Sequence, residues 1–339
     1  MSRAALAARL RSIYLRWYFL ENGILLGPNG NRRTFLDFKN LPTIATALKI
    51  ALETNSTSTT SVDPKDLTSL YLNGHKAEFN APCQLPFKLE AYFKNPMFLK
   101  VFNHKLDLPK QIILSSPLLC IAYKPAGMPS LPLRDLPEQS AKQCLEKHLQ
   151  KIIHFPSRLD SDTQGLLIGS CDRSFDHKLQ TCFSEHTVNK IYLAQINKTP
   201  NWNKLEVNTA IGKSLLSPAL RSVWGYQAKP ARTIFTVITK TRQGTLLACQ
   251  PITGRTHQIR VHLKSLGIEI LNDPLYGQSI PNQATVHELN LICHTLQLPK
   301  SLSTDLKEPV SNVPSDLYPD WLKELDQQQI QSAIKSLLT

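Results

Sequence analysis

The stretch that most constrains this chain is Pro156-Ser-Arg-Leu-Asp-Ser-Asp-Thr-Gln-Gly-Leu-Leu-Ile-Gly-Ser170, a polar turn carrying one arginine and two carboxylates. Proline and the Asp/Ser/Thr/Gly cluster favour a loop, and Leu166-Leu167-Ile168 reads as a buried strand. A loop running directly into a buried strand holds Arg158, Asp160 and Asp162 at the rim of a packed sheet. Asp and Ser before a strand are also ordinary turn formers. The rest of the chain must decide between turn chemistry and a reactive carboxylate.

Composition narrows the classes. With 42% hydrophobic and 19% charged residues, the 339-residue chain can bury a sizeable core, in one large domain with a smaller one beside it. Its net charge is +13, and basic residues outnumber acidic ones both before and after residue 115. A distributed positive excess favours an extended polyanion over a single anionic metabolite. The seven cysteines include no CxxC pair and several sit in apolar runs, as buried thiols of a reducing compartment would. His257 and His262 miss the i,i+4 spacing of helical metal ligands. Neither a structural zinc site nor a membrane-spanning run is expected.

Residues 1–34 read as a basic amphipathic extension. Leu6, Leu10, Ile13 and Trp17 follow helical spacing among Arg3, Arg9, Arg11 and Arg16. A packed or RNA-contacting helix, a mitochondrial transit peptide and a membrane-surface helix all fit that pattern. Residues 35–115 read as a small accessory, RNA-binding region. It comprises a helix over Leu41 to Glu53, a Ser/Thr-rich linker at residues 55–63 and a hairpin turning at Asn73-Gly74.

From residue 116 the pattern is that of a larger domain ending near 310. Ser116 to Tyr123 reads as a buried strand that runs into the turn Lys124-Pro-Ala-Gly-Met-Pro129. Helical spacing covers Leu136 to Ile153 and Phe175 to Phe183. Val188 to Ile196 reads as a strand with Val188, Lys190, Tyr192, Ala194 and Ile196 on one face. In Pro251 to Gly267, Ile259, Leu263 and Leu266 mark one helix face, with Arg255 and Arg260 at the helix start and Gly267 as the stop. Asn272-Asp-Pro-Leu-Tyr-Gly277 reads as a turn and Leu291 to Leu296 as a short strand. Residues 311–339 read as a polar, partly helical tail.

No Ser/His/Asp order, P-loop, dinucleotide fingerprint or metal cluster is present. What remains is a carboxylate, one or two arginines and a tyrosine. A carboxylate can act as nucleophile or base, an arginine can keep it ionised, and a tyrosine can stack on a base and move a proton. A hydrolase would need a second acid beside Asp160, and Asp162, the near candidate, reads as turn structure. A regulator would need a helix-turn-helix or RNP pattern, and none is seen.

Three segments resemble the catalytic motifs of the RluA-type RNA pseudouridine synthases. They are Arg158-Leu-Asp160-x-x-Thr-x-Gly165-Leu-Leu, Lys190-x-Tyr192, and Gly254-Arg-Thr-His-Gln-Ile-Arg260-Val-His-Leu. The Lys124-Pro-Ala-Gly127 turn, Asn272 to Gly277 and Cys293-His294 are similar to further landmarks in the same order. The resemblance spans about residues 117–310. It implies an α+β fold, with a mixed, largely antiparallel sheet, flanking helices and an RNA-binding cleft. It also implies cofactor-free isomerisation of uridine to pseudouridine by a monomer acting on ribosomal or transfer RNA, in the cytoplasm or the mitochondrial matrix. By motif position Asp160 is the catalytic aspartate, Tyr192 stacks on the flipped uracil and assists proton removal from C5, and Arg260 pairs with Asp160. Arg158 fills the space left by the flipped nucleotide, and Lys124, Lys190, Arg255 and His257 are the further expected RNA contacts. Ser157 and Gln164 stand where the family usually has His and Ser, which bears on target choice. The rival reading is a silent RNA-binding or RNA-folding protein that kept the fold.

Overall fold

A computed structural model describes residues 12–19, 24–26, 32–34, 43–45, 47–49, 67–73, 75–82, 87–94, 108–132, 140–214, 220–277, 288–303 and 310–338. The chain divides into two compact units, residues 1–103 and 104–339.

The first unit contains a six-stranded antiparallel sheet in the order β3-β2-β1-β6-β4-β5. Its strands are β1 (Ser12–Phe19), β2 (Ile24–Leu26), β3 (Arg32–Thr34), β4 (Leu67–Leu72), β5 (His75–Lys76) and β6 (Phe87–Lys94). The helix expected at the N-terminus is overturned across residues 12–19, which pair with β6 from Ser12↔Lys94 to Phe19↔Phe87. Ile13, Leu15, Trp17 and Phe19 also alternate with period two, and a run rich in aromatics favours the pleated surface. Residues 1–11 lie outside the described set, as does the linker at 55–63. The hairpin is found, with Leu72 opposite His75 and Asn73 at a φ of 52°.

The second unit is built on a nine-stranded sheet, with β18 pairing beside β17 off the main order β11-β15-β16-β10-β17-β9-β8-β7. In chain order these are β7 (Ile112–Ser115), β8 (Leu119–Lys124), β9 (Gln164–Ser170), β10 (Asn189–Ile196), β11 (Lys204–Asn208), β15 (Arg232–Thr241), β16 (Gly244–Pro251), β17 (Leu291–Gln297) and β18 (Val310–Asn312). A separate three-stranded sheet joins β12 (Ile211–Lys213), β13 (Arg221–Val223) and β14 (Tyr226–Lys229). Among the described strands only β9 and β17 pair in parallel, so the sheet is mixed and largely antiparallel, as expected. The longer helices are α1 (Ala141–Leu149), α2 (Arg173–Ser184), α3 (Gln258–Ser265) and α4 (Gln327–Leu338). Asp172 caps α2 by accepting from the N–H groups of Ser174 and Phe175, both at 2.9 Å, so the helix begins two residues before its apolar stripe.

The core lies on both faces of the sheet. One cluster collects Val188, Ile191 and Leu193 with Phe175 and Leu179 of α2; the other collects Ala194 and Ile196 with Ile259 and Leu263 of α3. Val188 therefore packs opposite to the face its spacing suggests. Val188 lies at the bend just before β10, outside the strand, so the strand's period of two does not govern it. Two boundaries also move. β7, placed by sequence in the accessory region, pairs with β8, and residues 104–115 belong to the second unit. The C-terminal segment is no appendage: Tyr318, Leu322, Ile330 and Ile334 are buried in the first cluster, and β18 extends the sheet.

Candidate active site

Asp160 sits in the loop before β9, and the backbone on either side of it is pinned. The hydroxyl of Ser130 donates to the carbonyl of Leu159 at 2.7 Å and accepts from its N–H at 3.1 Å. On the other side the ammonium of Lys124 donates to the carbonyls of Ser161 (3.0 Å), Pro125 (3.0 Å) and Met128 (2.7 Å). The N–H of Thr163 closes the turn on the carbonyl of Asp160 at 3.1 Å. Lys124 was expected to contact RNA. It is instead 1% exposed, at the end of β8, where it ties the loop from beneath. Burial lowers its pKa to about 7, against the pull of Asp162 and Asp160.

Behind the loop the strand comes unusually close to its neighbour. Gly165 has a φ of +112°, and a Cβ there would stand 2.2 Å from the carbonyl oxygen of Cys293. Only glycine fits this parallel contact with β17. Next to it Gln164 accepts from the hydroxyl of Tyr123 at 2.7 Å, which gives the unusual glutamine a buried partner.

The opposite wall comes from α3. This helix reads as amphipathic, but residues 258–263 are all buried. Arg260 is 2% exposed. Its Nε and Nη2 donate to the two carboxylate oxygens of Asp273 at 2.8 and 2.7 Å, a two-pronged pair of the strong, oriented kind. Asp273 also accepts from the N–H groups of Leu275 and Tyr276. Arg260 also meets Asp160, as an ion pair without a hydrogen bond. Only Nη1 faces Asp160, at 3.8 Å, and Asp162, at 3.6 Å. That nitrogen is buried and has no hydrogen bond among the described residues. Burial opposes the charge of Arg260, but Asp273, then Asp162 and Asp160, outweigh it and hold the guanidinium protonated. Burial raises the pKa of Asp162, with Asp273 and Asp160 pushing the same way against Arg260 and Lys124. Asp162 is thus part of the charge cluster and not turn structure alone.

His257 completes this wall from a left-handed position, φ 60°, at the N-terminus of α3. Its Nδ1 is 2.7 Å from the hydroxyl of Tyr276, which accepts from the N–H of Arg221 at 3.0 Å. Having accepted once, the phenol is free to donate to Nδ1, leaving the ring proton on Nε2, 4.0 Å from Asp160. Burial lowers the pKa of His257 to about 4, in spite of Asp160, so the ring is neutral near pH 7. The guanidinium of Arg260 lies 5.2 Å from the centre of the Tyr276 ring.

Tyr192 lies on β10 between Cys249 and Cys293 of the flanking strands and is within electrostatic reach of Asp160. Burial, the thiol of Cys293 and the charge of Asp160 all raise its pKa, so the phenol keeps its proton. Lys190 sets its ammonium 5.6 Å from the centre of the Phe183 ring. Arg158 is exposed on the rim beside Asp160. Arg255 is half-buried and donates through Nε to the carbonyl of Pro230 at 2.9 Å.

A family model described as RNA pseudouridylate synthase matches residues 119–265, which span the aspartate loop, β10 and α3. An uncharacterised RNA pseudouridine synthase of Zymomonas mobilis is 32% identical over 199 residues, 56% of this chain and 88% of that one. The chain belongs to the RluA-type RNA pseudouridine synthases. Within this family, the ribosomal large subunit pseudouridine synthase D of the same organism is 29% identical over 197 residues. That match covers 54% of this chain and 61% of that protein, less than two thirds of its length. The solved structure of human RNA pseudouridylate synthase domain containing 1 shares the fold, with a TM-score of 0.53, 22% identity, and coverage of 66% of this chain and 94% of that one.

Sequence reasoning missed Asp273, Tyr276 and Ser130 as parts of the site. The first two lay in a segment read as a turn and as a family landmark, with no side chain in it given a role. The available signal was an aspartate followed by free N–H groups two and three residues on, close in sequence to a buried basic helix.

Proposed function

We propose that this chain isomerises specific uridines of structured ribosomal or transfer RNA to pseudouridine, with Asp160 as the catalytic aspartate. The observation that carries the reading is the placement of Asp160. It sits on a loop pinned at Leu159 and Ser161 and faces a buried cation that makes no hydrogen bond to it. The carboxylate is thus held in place and kept free to reach a sugar.

The reaction conserves atoms. The C1′–N1 bond of the uridine breaks, a C1′–C5 bond forms, and the proton lost from C5 is balanced by one gained at N1. Asp160 either attacks C1′ or removes the C2′ proton, with the guanidinium of Arg260 facing it at 3.8 Å. Tyr192 stacks on the base, and its retained proton argues against a phenolate acting as a ready-made base for C5. His257, neutral and carrying its proton on Nε2, donates toward the space between itself and Asp160. The target uridine must leave its stack to reach this wall, and exposed Arg158 is placed to fill the gap. The net charge of +13 supports a polyanionic substrate. All six described cysteines are free, which fits a reducing compartment, either the cytoplasm or the mitochondrial matrix.

The deciding experiment maps pseudouridines in total RNA with and without the protein, and repeats the rescue with Asp160→Asn. Loss of particular sites, restored by wild type and not by the variant, is the expected result. Restoration by the variant would sink the assignment and favour a silent RNA-binding protein. Binding by Asp160→Asn should stay close to wild type, because phosphate contacts supply most of it.

A further inference from the structure

The small sheet β13-β12-β14 carries features that the proposed chemistry does not use. From residue 209 to residue 232 the chain holds Lys213, Arg221, Lys229 and Arg232 and no carboxylate. Glu206 takes Arg232, at 2.7 and 2.9 Å. Lys213 lies opposite Arg221 on one side and Tyr226 on the other. Directly opposed residues share a face, with Cβ atoms about 5 Å apart, and like charges so placed repel. The fold therefore keeps two cations beside one aromatic ring at an energetic cost.

The aromatics are placed just as unusually. Trp224 is 74% exposed and Tyr226 61%, more than any other large aromatic among the described residues. Trp224 has a φ of +55°, a conformation that is an outlier for a bulky side chain. A turn alone would be better served by Gly or Asn. The turn is nonetheless held firmly: the N–H of Trp224 donates to the carbonyl of Ala210 at 2.8 Å. A Cβ at Gly225 would stand 2.6 Å from the carbonyl oxygen of Lys213. A strained, exposed indole on a fixed turn is explained neither by packing nor by turn geometry, and such strain points toward function.

The sheet is also rooted beside the candidate active site. Ile211 and Val223 pack with Val261 of α3 and with Tyr276. The N–H of Arg221 holds the Tyr276 hydroxyl, which reaches His257 and so faces Asp160. The sheet thus abuts the wall around Asp160 and also presents exposed rings, with Tyr226 opposite Lys213.

We propose that Trp224 and Tyr226, with Lys213 and Arg221, form a stacking platform for one or two unpaired RNA nucleotides flanking the target uridine. Every base offers a face to stack on, and each phosphate beside it suits the neighbouring cations, a pairing typical of single-strand binding. The inference rests on the reading that RNA is the substrate. It adds a second contact region, away from the aspartate.

The test uses the full chain and an oligouridylate of about ten nucleotides, followed by intrinsic tryptophan fluorescence. Wild type should be quenched on binding, and Trp224→Phe should lose most of that quench while keeping most of the affinity. Trp224→Ala and Tyr226→Ala should each weaken binding by about five- to tenfold or more, and Lys213→Ala should flatten the salt dependence by about one counterion. Heparin, which has charge and no bases, should bind without quenching. Trp224→Gly should melt at or above wild type while binding RNA more weakly, which separates loss of the platform from loss of fold. The proposal is overturned if the double alanine variant binds as wild type or if the quench survives in Trp224→Phe. It is equally overturned if the variants alter only self-association in sedimentation. Because binding needs no turnover, a protein that makes no pseudouridine and still shows these losses upholds the platform while rejecting the activity.

Discussion

The guanidinium of Arg260 grips Asp273 with Nε and Nη2 and leaves only Nη1 for Asp160, 3.8 Å away. At that separation the attraction is about 4 kcal/mol at an effective dielectric of 20. The cation faces the carboxylate without a direct hydrogen bond that would have to break before Asp160 moves. Asp273 meanwhile anchors the arginine, so the cation does not collapse onto the reactive group.

Asp273→Ala should therefore do two separable things. Removing one partner of a buried ion pair costs about 3–5 kcal/mol, which lowers the melting temperature by several degrees. The freed Arg260 would then bind Asp160 directly, so product formation should fall steeply even at a temperature where the variant is folded. Melting within a degree of wild type would show that this pair does not anchor α3.

Lys124→Met keeps the length of the buried stem and removes three hydrogen bonds beneath the aspartate loop. Turnover should drop by at least about tenfold, since small misplacement of a reacting group is expensive. RNA affinity should change by no more than about threefold, because a residue 1% exposed touches no phosphate. A variant that loses affinity and keeps turnover would restore the RNA-contact role.

Stability should depend on pH in the acid range through two buried imidazoles. His257 and His294, the latter bonded to the hydroxyls of Tyr318 and Thr295, both have pKa values lowered to about 4 by burial. The unfolded chain takes up protons at these positions as the pH falls below about 6.5, and the folded protein does so only near 4. Stability is therefore full above the unfolded value and is lost between about 6.5 and 4, by up to about 3 kcal/mol per imidazole. Urea titrations at pH 7 and pH 5 should show this loss, and His294→Gln should reduce it. An unchanged pH dependence in that variant would mean that His294 binds the same number of protons in the folded and unfolded states between pH 5 and 7.

Gly165→Ala should be among the most damaging single-methyl changes in the chain. The added carbon meets backbone, not a flexible side chain, and the φ of +112° is itself unfavourable for alanine. A loss of about 3 kcal/mol or more is expected in chemical denaturation. A variant as stable as wild type would disprove the close approach of β9 to β17.

What could be read from the residues alone divides along physical lines. Asp160, Arg260 and His257 could be singled out because they stand in two of the three motifs that resemble the family's, and the turn-then-strand at 156–170 because loop residues give way so abruptly to core residues. Lys124 misled because a cation at a strand end looks solvent-bound, and nothing local announces three carbonyls waiting beneath it. Asp273 was invisible as a partner for Arg260 because their contact depends on how a turn folds back over α3. The strand Ser12–Phe19 satisfies both helical and alternating patterns, and its pairing with a strand some seventy residues on decided the matter. Val188 packs on the other face because it sits at a bend one residue before the strand, a boundary that spacing places too early.

The parallel contact at Gly165 has a consequence for the order in which the molecule becomes competent. β9 carries the aspartate loop, yet its neighbour β17 arrives only after β10, β15, β16 and α3 have been made. Pairings between segments so distant in the chain form late. A ribosome that has released residues up to 260 has exposed every catalytic motif and has still not supplied Asp273 or the strand against which Gly165 closes. The proposed catalytic aspartate thus gains its supports only from segments made later, so partial chains ending near residue 260 carry its sequence without the structure around it.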